Sequence, residues 1–176
     1  EGKGGELFGS QLGFPGEYYA PNITPNGIGN WTDGELFRAI TTGVSKDGHA
    51  LFPIMPYPHF GKMDKEDIYA VIAYIRTLKP VEYTAPLSTS AFPMNFIINT
   101  IPQPATFTNI PPKEDLIRYG EYITNASLCM DCHTVQIRGE YQMDKYMAGG
   151  FEMPMPSGGT VRSANITPDK KTGIGS

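Results

Sequence analysis

The sequence predicts an all-α fold made of a few short helices joined by long glycine- and proline-rich loops. Three observations point there. Glycine (20) and proline (16) are abundant among 176 residues, and charged residues make up only 18%, which favours ordered loops over long regular elements. Two stretches repeat apolar residues at helical spacing behind recognisable N-caps. Hydrophobic residues at 40% and aromatics at 11% supply a core, which excludes wholesale disorder.

Residues 1–31 read as ordered loop, rich in Gly, Pro and Asn. Thr32-Asp33-Gly34-Glu35 is a capping box, so a helix should run over 33–42, with Leu36, Phe37 and Ile40 inward and Gly43 ending it. Residues 44–62 read as loop, because the prolines of Leu51-Phe52-Pro53-Ile54-Met55-Pro56-Tyr57-Pro58 oppose helix. The clearest helix spans about 65–78. Asp64 caps it, and Ile68, Val71, Ile72, Ile75 and Leu78 form its apolar stripe. Seven prolines between 80 and 112 mark an extended linker, whose Phe92, Met94, Phe96, Ile97, Ile98 and Phe107 should pack onto neighbouring surface. A second long helix is expected over 113–126, burying Leu116, Tyr119, Gly120, Tyr122 and Ile123. From Arg138 to Ser176 the chain reads as loop, with a short helix around 141–147.

The longest uninterrupted apolar run, Ile68 to Ile75, is far too short to cross a bilayer. A formal charge of −4 argues against nucleic acid as partner. The opening Glu1-Gly2-Lys3-Gly4-Gly5 does not read as a signal peptide.

The only two cysteines stand together in Cys129-Met130-Asp131-Cys132-His133. This C-x-x-C-H spacing is that of a c-type haem attachment site. Two thiols on one helical turn can each form a thioether to a porphyrin vinyl group, and the following imidazole can ligate the iron. A thioredoxin-like reading would need a preceding βαβ pattern, which is absent. A structural zinc site would have to recruit the distant His49 and His59 and is poorly spaced. Those two histidines read as surface loop residues. Among the methionines, Met55 is the candidate second axial ligand, because Pro53 and Pro56 stiffen the backbone around it. Its bland alternative is a core residue. Met153 and Met155 read as pocket lining.

The chain also repeats itself. Ala20-Pro21-Asn22-Ile23-Thr24-Pro25 followed by Gly27-Ile28-Gly29 recurs as Ser163-Ala164-Asn165-Ile166-Thr167-Pro168 followed by Gly173-Ile174-Gly175, and a Gly-Gly pair precedes each copy (Gly4-Gly5, Gly149-Gly150). The first copy continues into Trp31 and the capped helices. The second follows the C-x-x-C-H motif.

Together these segments resemble the class I cytochromes c, in particular the multi-haem cytochrome c subunits of membrane-associated alcohol and sugar dehydrogenases. The resemblance implies an all-α cytochrome c-like fold with short helices and long loops around haem. It implies covalent haem c on Cys129 and Cys132, with His133 and Met55 as iron ligands. It implies that Ile54 and Tyr57 flank the ligand loop, and that Asn165 and Ile166 belong to the loop along the haem edge. The order departs from an intact module, where the attachment motif precedes the methionine. The expected organisation is therefore a module over 1–80 lacking its own motif, a Pro-rich linker over 81–112, and the N-terminal part of a second module over 113–176.

The function expected on this basis is electron transfer without substrate chemistry by the polypeptide. A dehydrogenase would be the donor and an oxidase or other respiratory acceptor the partner. The native protein would sit in a periplasm or on the extracytoplasmic face of a membrane, with a parent that is membrane-associated. The two partial modules are complementary, so the 65–78 and 113–126 helices should pair, with Tyr74 near Gly120, within one chain or in a homodimer by module exchange. The alternatives are a haem peroxidase or sensor with an open sixth position, or a haem-free interaction fragment.

Overall fold

The computed structural model describes residues 1–137, 139–155 and 158–175; Arg138, Pro156, Ser157 and Ser176, all within the expected C-terminal loop, lie outside the described residues. The chain divides into two units, Glu1–Ile110 and Pro111–Ser176.

The first unit is organised by two helices and the loops they pin. Helix α1 (Pro25–Ile28) is a single turn started by proline. Helix α2 (Asp33–Thr42) has the expected capping box: Thr32 accepts from the Glu35 N–H at 3.2 Å, and Glu35 accepts from the Thr32 N–H at 2.7 Å. Gly43 ends it in the left-handed conformation. A further turn, α3 (Tyr57–Phe60), forms where the prolines suggested only loop. Pro56 caps it and Pro58 lies in its first turn, where a missing N–H costs nothing. Helix α4 (Lys65–Arg76) is capped by Asp64. Ile28, Leu36, Ile68 and Ile72 form the core, with Trp31, Phe37, Ile40, Phe60, Met63 and Ile75 packed against it. Arg76 donates to the Asp33 carboxylate at 2.9 Å and to the Trp31 carbonyl at 2.5 Å, tying the end of α4 to the start of α2.

The fold is mainly helical but departs from all-α. Residues 1–19, expected as loop, form strands β1 (Leu7–Phe8) and β2 (Gly16–Tyr19) around a 3-10 turn, with Leu7 opposite Tyr19. Gly13 takes φ +81° and closes the turn between them, a conformation other residues resist. Strand β3 (Thr89–Ser90) pairs antiparallel with β2. It comes from the proline-rich stretch, which is a strap on the first unit. Asn22 Nδ2 donates to the Val81 and Tyr83 carbonyls, and the Tyr18 hydroxyl donates to Ser90 Oγ. The Thr106 and Thr108 N–H groups donate to the Gly61 and Lys62 carbonyls, and the Ile110 N–H donates to Asp64 Oδ2. Phe107 packs on Phe37 as expected. Phe92, Phe96 and Ile97, on or beside helix α5 (Met94–Ile97), do not pack down and are exposed.

The second unit begins with α6 (Leu116–Ala126), capped by Asp115. Tyr122 is buried, whereas Leu116 and Ile123, expected inward, are exposed. Helix α7 (Cys129–His133) is one turn. Two hairpins follow, β4 (Gln136–Ile137) with β5 (Glu140–Tyr141), and β6 (Glu152–Pro154) with β7 (Thr160–Arg162). The helix expected around 141–147 is a 3-10 turn at Met143–Lys145.

Candidate functional site

Cys129 and Cys132 stand three residues apart on α7, and His133 is four from Cys129, so one turn carries all three on neighbouring positions. Leu128 starts the turn with φ +59°. Cys129 is half-buried and Cys132 exposed, and the two thiols are not joined to each other. The His133 Nδ1 atom lies 2.7 Å from the Ala164 carbonyl. A carbonyl only accepts, so Nδ1 carries the proton and Nε2 keeps a free lone pair. That hydrogen bond is the support a metal-binding imidazole needs: it fixes the tautomer and the ring orientation.

Residues that sequence reasoning did not single out hold this arrangement in place. Thr134 is fully buried, and its hydroxyl accepts from the Met147 N–H at 3.0 Å. The Gly149 N–H donates to the His133 carbonyl at 2.8 Å. Gly149 has φ +73°, and a Cβ there would meet Ala164 backbone atoms at 2.5 Å. Only glycine therefore lets the segment bearing the Ala164 acceptor approach His133. The signal was present in the duplicated Gly-Gly pair, but its target was not. Tyr141 donates to Asp131 at 2.6 Å, bracing the turn between the two cysteines. Burial, then this bond to a carboxylate, pushes the Tyr141 hydroxyl well above the usual tyrosine range.

Asn165 and Ile166 lie in the same unit. Asn165 Oδ1 accepts from the Thr167 N–H at 2.9 Å, and the Ile166 N–H donates to the Met147 carbonyl at 3.0 Å. The first unit repeats this construction. Asn22 Oδ1 accepts from the Thr24 N–H at 2.9 Å, and the Ile23 N–H donates to the Gly2 carbonyl at 2.9 Å. Gly5 donates to Ala20 and Gly150 to Ser163, both at 2.9 Å. Gly4 and Gly149 share φ +73°. The Pro21 carbonyl thus occupies the position in the first copy that the Ala164 carbonyl occupies in the second.

Ile54, Met55 and Tyr57 belong to the first unit. Met55 and Ile54 are half-buried. Tyr57 is 1% exposed, and its hydroxyl has no hydrogen-bond partner among the described residues. Burial pushes it up to about 12. Gly43 makes room for its ring, since a Cβ there would collide with it. His59 is buried rather than a surface residue, drawn in because it lies on the α3 turn beside Tyr57. His49 is exposed, and its Nδ1 pairs with Asp47 at 2.6 Å. Met153 is half-buried on β6 and Met155 exposed beyond it. Among the described residues no cluster of three or more His, Cys, Asp or Glu is arranged to hold a bare metal ion.

The donor set therefore fits a porphyrin rather than a naked ion: two unpaired thiols one turn apart, and an imidazole with Nε2 free. No family profile matches the chain. It is 36% identical over 149 residues to the cytochrome c subunit of a quinone-type alcohol dehydrogenase from Gluconacetobacter polyoxogenes, covering 77% of this chain and 31% of the relative. It is 30% identical over 174 residues to the cytochrome subunit of a fructose dehydrogenase from Gluconobacter japonicus, covering 92% and 35%. A diheme cytochrome c-type protein from Cereibacter sphaeroides is 29% identical over 168 residues, covering 88% and 54%. The chain spans about a third of the length of the two dehydrogenase subunits.

Proposed function

The chain is a homologue of the cytochrome c subunits of bacterial alcohol and fructose dehydrogenases, and from that premise we propose that it is an electron carrier built around covalent haem c. The observation that carries the reading is the His133 Nδ1 bond to the Ala164 carbonyl, directly after two free thiols on one turn. Cys129 and Cys132 would anchor the porphyrin through thioethers, and His133 Nε2 would face the metal. When bound, haem c supplies a one-electron Fe2+/Fe3+ couple. The chain's own part is to hold the imidazole in a single tautomer, keep the attachment turn rigid through Asp131 and Tyr141, and shield one side with Asn165 and Ile166.

Met55 would supply the second ligand to the iron through its thioether. Its carbonyl accepts from the Tyr57 N–H at 2.8 Å, and the orphan Tyr57 hydroxyl in the same turn supports a polar group being received beside it. Met55 is in the first unit and His133 in the second, and exchange between copies in a homodimer would bring the two together. A second reading rests on the Pro21 carbonyl: the first unit repeats the histidine-accepting cradle, and Met55 then serves a histidine presented to Pro21.

The physiological role that fits is relay from a dehydrogenase to a respiratory acceptor, on the extracytoplasmic side where haem c is matured. Among the described residues no helix is long and apolar enough to cross a membrane. The test is optical. The haem-loaded chain should show the charge-transfer band of methionine-ligated ferric iron, and Met55→Ala should abolish it. An unchanged band in Met55→Ala assigns Met55 to the first cradle, and no band in the parent favours an open-position peroxidase or sensor.

A further inference from the structure

We propose that the N-terminal hairpin latches the Met55 loop shut, with Tyr18 and Phe52 as positioning residues that act on the thioether through the backbone of that loop. Their role rests on Met55 being the axial ligand. Between Leu51 and Tyr57 the chain runs Phe52-Pro53-Ile54-Met55-Pro56. Its two ends are pinned on the α2 side of the unit. The Leu51 N–H donates to the Gly43 carbonyl at 2.8 Å, and Val44 bridges Ala50. At the other end the Tyr57 N–H donates to the Met55 carbonyl at 2.8 Å, and the Tyr57 ring packs over Gly43. The side facing the hairpin is held by rings. Tyr18 stacks on Phe52 with centroids 4.2 Å and planes 21° apart. Phe14 meets the Phe52 ring edge-on at 6.0 Å and 89°, and Phe8 meets Phe14 at 6.1 Å and 84°. Phe52 is gripped by a face and an edge, the two geometries that aromatic pairs favour.

The grip is itself anchored. Tyr18 is buried, and its hydroxyl lies 3.0 Å from Ser90 Oγ and 3.2 Å from the Pro15 carbonyl. It stands on β2, which is paired on both sides, with β1 and with β3. Tyr18 therefore cannot follow Phe52 when the loop swings, and opening the loop costs both ring contacts. Phe52 precedes Met55 by three residues, and Met55 is half-buried, so a swing that frees Phe52 carries the thioether with it. Pro53 and Pro56 fix backbone dihedrals around Met55 but not the place of the loop in the unit. A thioether is neutral, so no ionic attraction holds it on a metal. The balance between closed and open loop then decides how often the sixth position is free, and the rings bias that balance toward closed.

The experiment measures imidazole binding to the ferric, haem-loaded chain. Imidazole takes the sixth position only when the loop is open, so its apparent affinity follows the open fraction. Phe52→Leu keeps apolar bulk, removes both ring contacts, and should raise that affinity at least about fivefold. Tyr18→Phe keeps the stacked ring and should leave the affinity within about twofold of the parent. Phe8→Leu, two rings away from the loop, should lower the urea midpoint without changing imidazole binding. In the haem-free chain, hydrogen exchange at the Leu51 and Tyr57 amides should accelerate in Phe52→Leu. An unchanged affinity in Phe52→Leu, where Met55→Ala abolishes the charge-transfer band, overturns the latch and leaves the ligand in place. A band that survives Met55→Ala removes the ligand instead. The exchange rates then decide the latch alone: acceleration supports it and unchanged rates overturn it. An equal gain in affinity in Phe8→Leu also overturns it, by showing general loosening of the hairpin.

Discussion

At the scale of single residues, Gly149 is where backbone conformation and metal chemistry meet. Its φ of +73° and the closeness of Ala164 leave no room for a side chain. Gly149→Ala should destabilise the chain by at least about 1 kcal/mol in urea unfolding and shift the potential of bound haem, because the acceptor of the His133 Nδ1 proton is pushed away. An unchanged potential would detach Gly149 from the histidine. Tyr57 makes a different prediction. Its hydroxyl is buried without a partner, so Tyr57→Phe should stabilise the haem-free chain by about 1 kcal/mol. With its folded pKa raised to about 12, tyrosine contributes stability that is fully present below the ordinary value near 10 and lost as pH rises through 12. Tyr57→Phe should remove that alkaline step. The motif residues were legible because thioether chemistry demands their spacing. Ala164 and Thr134 were not, since they act through a carbonyl and a hydroxyl brought in by distant turns.

At the scale of elements, caps and periodicity read well, while strands and partners did not. The ends of α2 followed from Thr32, Glu35 and Gly43, whose hydrogen bonds are local. The first strands were missed because β1 and β2 are short and draw their register from Gly13 and from β3, seventy residues away. The prolines of the strap exclude helix in the sequence but say nothing of where the intervening N–H groups go. Asp64 joins the two kinds of information. N–H groups from Ile110, then Glu66, hold its carboxyl below the usual carboxylate range. A depressed acid stabilises above its ordinary pKa and ceases to do so as pH falls through the folded one. Hydrogen exchange at the Ile110 and Glu66 amides should therefore accelerate in that acid range, and Asp64→Ala should show the same acceleration at neutral pH. Equal protection in the variant would mean that the strap is held by other bonds.

At the scale of the whole molecule, the chain is two units that share one construction. Each holds an Asn-Ile-Thr-Pro loop against a left-handed Gly-Gly pair with matching hydrogen bonds, and the second follows a C-x-x-C-H turn. The repeat was legible as letters. That its first copy holds the Pro21 carbonyl in the place the Ala164 carbonyl takes in the second was visible only in the fold. The electron-carrier account rests on the porphyrin being bonded to Cys129 and Cys132, and intact mass spectrometry of the chain, produced in a host that matures c-type cytochromes and then denatured in acid, measures this directly. The account predicts a mass increased by one haem that acid extraction does not remove and that Cys129→Ser/Cys132→Ser eliminates. A bare polypeptide mass, or a haem released by acid, would contradict it.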